Sequence, residues 1–85
     1  MRELEVGRID HWYGHLGVAG IHLLAPLKVG DHIRIVGRTT SIDTVVESME
    51  IEHQPVMAAG PDAHVGVRVP ERVRMHDRVY LVPQA

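Results

Sequence analysis

Histidine, arginine and paired aromatics are the residues through which this sequence could do chemistry. Seven histidines are scattered along it, with His11 and His15 four apart. Imidazole nitrogen binds zinc, nickel or copper, and two imidazoles at this spacing on one helix would share a face. Here Gly14 falls between them in an expected loop, and neither an HExxH pattern nor any cysteine accompanies them. Solvated surface histidines, with no metal and no cofactor, are therefore expected. Ser41, Thr44 and Ser48 lack a nucleophile-elbow pattern, and a chain of 85 residues has little room for a deep cleft, so no catalysis is expected either.

Binding chemistry is better represented. Arg68, Arg72, Arg74 and Arg78 crowd the last quarter and can form a stripe for phosphate or an acidic protein. Alternatively they pair with Glu47, Glu50 and Glu52 across neighbouring strands, each pair contributing little. His11, Trp12 and Tyr13 stand together in an expected connection. Adjacent aromatics there either stack bases or anchor a partner, or else one of them caps an open end of the fold.

Composition limits what positions these groups. Nine Lys and Arg against eleven Asp and Glu give a formal charge of −2, so no global attraction draws the chain to nucleic acid. The chain is 45% hydrophobic, yet it has no Phe, one Trp and two Tyr, so aliphatic and β-branched residues must fill the core, which favours strands. With no cysteine, the burial of apolar surface is the main stabiliser and a cytoplasmic setting fits. Neither a membrane span nor a secretory signal is visible, and one domain over residues 1–85 is expected.

Glycine and proline punctuate about six strand-like runs. The first is Glu3 to Ile9, followed by a polar and aromatic connection from Asp10 to His15. The second, Leu16 to Leu24, carries Gly17 and Gly20, which suggests a bulge or a close backbone approach. Ala25 to Gly37 reads as a turn at Gly30-Asp31 leading into a strand with Ile33 and Ile35 inward. Ile42 to His53 forms a longer run with a bulge near Glu47-Ser48, ended by Pro55; Met57 to Ala59 is a short connection. After a turn at Gly60-Pro61-Asp62 come His64 to Val69 and then Arg78 to Val82. No window has helical periodicity with caps, so the prediction is an all-β, six-stranded, closed antiparallel barrel, closure removing exposed edges.

Leu27-Lys28-Val29-Gly30-Asp31 to Ile35-Val36-Gly37, then Val46 to Ile51, then Ala59 to Val67, resemble in order and spacing the second domain of translational GTPases such as elongation factor Tu. More narrowly the chain resembles small stand-alone elongation factor-like proteins, and a similar barrel is appended to collagenase-like peptidase family proteins, associated with RNA modification. His76 stands where the translational GTPases usually have glycine. No phosphate-binding G-x-x-x-x-G-K-[ST] is present, so the resemblance carries no nucleotide hydrolysis. In the elongation factor the barrel helps hold the aminoacylated end of tRNA through a basic residue and an asparagine. Those places are taken here by His53, with Glu52 beside it, and by His64.

The resemblance thus implies a binding module accessory to translation or RNA metabolism, meeting RNA, a ribosomal component or a translation protein. Its contacts would be His11, Trp12, Tyr13, Glu52, His53, His64 and the four arginines. A second reading is a protein-interaction or homo-oligomeric module that docks with a peptidase-family partner and binds no RNA.

Overall fold

Without phenylalanine, the apolar surface of this chain is best buried on pleated strands, and the computed structural model, which describes residues 3–84, has ten strands and no helix among them. In chain order these are β1 (Leu4–Tyr13), β2 (Val18–Leu23), β3 (Leu27–Lys28), β4 (His32–Val36), β5 (Ser41–Val45), β6 (Met49–Ile51), β7 (Gln54–Val56), β8 (Ala58–Ala59), β9 (His64–Arg68) and β10 (Arg78–Leu81). Eight make one antiparallel sheet in the order β5-β4-β10-β1-β2-β9-β6-β7, and β3 pairs with β8 apart from it.

The expected six-stranded closed barrel gives way to an open sheet, because no ladder joins its two ends. The reason lies at the seam. Residues 46–48 connect β5 to β6, and they meet a turn instead of a strand: the Val46 amide donates to the Asp31 carbonyl at 2.8 Å, and the Gly30 amide donates to the Val46 carbonyl at 2.8 Å. Strand ends separated by so few residues stand at most about 14 Å apart, so the sheet has to curl until its ends nearly meet. Inside the curl lie Ile9, Ile21, Leu23, Ile33, Ile35, Val67 and Val79, each at most 1% exposed. Each such side chain contributes roughly 1.5–3 kcal/mol by leaving water.

Three further expectations change. First, β1 continues through the supposed Asp10 to His15 connection as far as Tyr13, carried across two bulges, one between Glu5 and Gly7 and one between Ile9 and His11. Each bulge inserts an unpaired residue and resets the alternation, which hides the strand from a period-two reading. Second, the expected bulge in the run from Ile42 to His53 is a break, where the chain leaves β4 as partner and joins β9. Third, Pro55 sits within β7 and does not end the sheet there, which is tolerated because β7 is an edge strand.

The turns use left-handed backbone where expected and also where it is unfavourable. Gly30 has φ 98° between Lys28 and Asp31, whose side chain accepts the Lys28 amide at 3.0 Å. His76, in the family's glycine place, still adopts φ 73°. Beside it the buried Asp77 carboxylate accepts the Arg74 amide at 2.9 Å and fills the space over Gly37, where any Cβ would overlap it.

Candidate functional site

Across the outer surface of β1, β2, β9 and β6, the sheet register brings two glycines side by side: Gly20 of β2 faces Gly66 of β9, with His11 of β1 beyond one and Glu50 of β6 beyond the other. Inward neighbours on the same strands, such as Ile21 and Val67, hold this patch from below. The glycine pair has no side chains of its own, and neighbouring ones lean over it. Over it lies a groove of about 310 Å³.

Its walls follow from local structure. The bulge in β1 places Asp10 outside the ladder and swings its carboxylate over Gly20, where an added Cβ would stand 2.7 Å from Asp10 Oδ1. The other Asp10 oxygen meets His64 Nδ1 at 2.8 Å. A bulge beside a site commonly serves to re-aim a side chain in this manner. Glu50 leans over Gly66, its Oε1 3.4 Å from where a Cβ would be. At the far end Glu52 and His53 form the two-residue turn between β6 and β7, with φ of 50° and 64°. Such a turn ordinarily takes Asn-Gly, and L-residues there carry a penalty of roughly 1–2 kcal/mol each. Tyr13, Leu16 and Val18 supply the apolar wall.

Of the residues singled out in the sequence, the fold gathers Tyr13, Glu52, His53 and His64 around this groove. The His11 ring packs against Tyr13 at a 53° tilt with centroids 4.3 Å apart, and Trp12 packs against the core opposite Ala19. These three stand on a strand, not in a loop, and with Gly14, His15 and Leu16 they line a smaller cleft of about 270 Å³ at the hairpin tip.

The arginines form no single stripe. Arg68 on β9 and Arg78 on β10 are three strand steps apart, roughly 14 Å, with β1 and β2 between them. Arg68 donates to the Leu16 carbonyl at 3.2 Å, and Arg74 donates to Thr39 Oγ1 at 2.9 Å. Arg72 lies exposed in the connection between β9 and β10. Nor does any of the four pair with Glu47, Glu50 or Glu52 among the described residues. His22 stacks on His64 at 4.5 Å and approaches Asp62 at 3.7 Å, yet no three metal-ligating side chains converge among the described residues.

Asp10, Gly20, Glu50 and Gly66 are the groove residues that reading the sequence for chemistry missed. A glycine breaking each of two alternating strands was their one signal.

Comparisons with known proteins point to peptidases. No protein-family model matches the chain. An uncharacterized protease of Methanocaldococcus jannaschii is 43% identical over 84 residues, which is 98% of this chain. The chain spans only 21% of that protein's length. Crystal structures of the C-terminal domain of a candidate U32 peptidase from Geobacillus thermoleovorans share the fold. One superposes with a TM-score of 0.87 at 19% identity, covering 96% of this chain and 94% of that domain. Its selenomethionine variant gives 0.84 at 18% identity, over 88% of this chain and 95% of that one.

These findings overturn the resemblance to elongation factor Tu and its stand-alone relatives, and with it the support for a translation, RNA or ribosomal role. The segments that carried it are turn-and-strand chemistry: a glycine turn before a strand, and a Val-Gly-Val strand. Such pieces mark a fold and recur wherever that fold is used, whatever the function. Among the described residues no helix is long and apolar enough to cross a membrane.

Proposed function

We propose that this chain is a non-catalytic recognition module that works with a peptidase-family protein, and that the groove over Gly20 and Gly66 is its protein-binding surface. One observation carries the reading: 43% identity over nearly the whole chain to about a fifth of a protein named a protease. A segment that matches one portion of a larger protein, and whose fold also stands as the C-terminal domain of a candidate peptidase, is best read as an appended unit. Residues 1–85 then act as one domain, and the strap at residues 46–48 lets the curled sheet behave as a barrel. Among the described residues no nucleophile joins the His64–Asp10 pair in the groove, which supports a binding role over a catalytic one.

Affinity capture from the source cells, with and without nuclease, tests this reading. A peptidase-family protein identified in both samples is the expected result. Capture of RNA-linked partners alone, lost on nuclease treatment, contradicts it.

A further inference from the structure

We infer that the groove binds a peptide that inserts a lysine or arginine side chain; this rests on the reading of the chain as a protein-binding module. At about 310 Å³ the groove matches one or two side chains and is far too small for a folded partner. Its floor is covered by neighbouring side chains, Asp10 and His11 over the buried Gly20 and Val18 and Glu50 over Gly66, so what enters between the walls is a side chain and not a peptide backbone.

The walls then select the side chain. Tyr13, Leu16 and Val18 offer an apolar run for a methylene stem, and Tyr13 presents an aromatic ring to a cation. Asp10, Glu50 and Glu52 offer carboxylate oxygens, of which Asp10 alone has an ion-pair partner among the described residues, at His64. Among the described residues no lysine or arginine lines the groove; the nearby Arg68, opposite Val18, is directed to the Leu16 carbonyl. An amphipathic cation satisfies both walls, and a guanidinium can meet a carboxylate through two parallel hydrogen bonds. The same carboxylates repel phosphate, which disfavours nucleic acid at this surface.

The test uses blocked pentapeptides Gly-Gly-X-Gly-Gly titrated into the 15N-labelled full chain, with X as Arg, Lys, norleucine or Glu. The amide signals of Gly20 and Gly66 are expected to shift with Arg and Lys and to stay unmoved with norleucine and Glu. Glu50→Gln and Glu52→Gln are each expected to weaken the Arg peptide about tenfold, the loss of one charge-assisted hydrogen bond, with the rest of the spectrum unchanged. Norleucine acting as strongly as Arg, or no peptide shifting these amides, overturns the inference. If the wild-type chain still captures a peptidase-family protein in that case, the inference alone has failed. If it captures none, the module reading fails with it.

Discussion

On the β4-β5 part of the outer surface the guanidinium of Arg34 meets two carboxylates placed to receive it, whereas across β1-β2-β9-β6 Glu50 and Glu52 have no ion-pair partner among the described residues. Arg34 shows the first condition. Its guanidinium lies 3.1 Å from Asp43 across the β4-β5 ladder and 2.6 Å from Glu3. The hydrogen bond to Asp43, then the charges of Asp43 and Glu3, hold its protonated form above the ordinary arginine range. On the other half Glu50 and Glu52 line a groove that has no lysine or arginine among the described residues. One sheet and one core carry both halves, so the difference is not imposed by folding. A surface whose charges are matched within the chain is finished, and one whose charges are left open is available to a partner.

The largest expected effect asks whether the two halves really share one core. Ile35→Ala lies beneath the matched half and Ile21→Ala beneath the groove, and both residues are fully buried. Each is expected to cost about 2–5 kcal/mol in denaturant unfolding, with one cooperative transition retained. Two separate transitions would split the sheet into independent units.

A smaller effect of opposite sign sits at the groove's end. Replacing Glu52-His53 with Asn-Gly gives the left-handed turn residues that suit it, and stability is expected to rise by about 1–2 kcal/mol. The same replacement removes a groove carboxylate, so peptide affinity is expected to fall while stability rises. That opposition marks a site kept at the expense of local strain. An unchanged or lower stability would show that the turn carries no strain.

The smallest effect belongs to the matched half. Arg34→Ala is expected to lower the melting temperature slightly at low salt, and not measurably in 1 M salt, where charges are screened beyond about 3 Å. It should leave peptide binding at the groove untouched.

Much of the architecture was legible because period-two patterning is strict where strands are regular. Ile33 and Ile35 were assigned inward and both are buried. The turns at Gly30 and at Gly60-Pro61-Asp62 were equally plain, since their chemistry is local. Legibility failed where one extra residue resets the alternation. The bulge at Asp10 concealed the second half of β1 and with it the residue that reaches His64. It failed again for the site as a whole, because the meeting of Gly20 with Gly66, 46 positions apart in the sequence, is fixed by register and not by spacing. His53 and His64 were recognised as candidates, yet only the pairing of β6 with β9 places them around one groove.

Hydrogen–deuterium exchange of the chain, alone and bound to the peptidase-family protein it captures, tests most directly whether the unmatched half is the working surface. Slower exchange at the outer amides of β2, β9 and β6, with β4 and β10 unchanged, is the predicted result. Protection confined to β4, β10 and β5 would place the interface on the matched half and contradict the account.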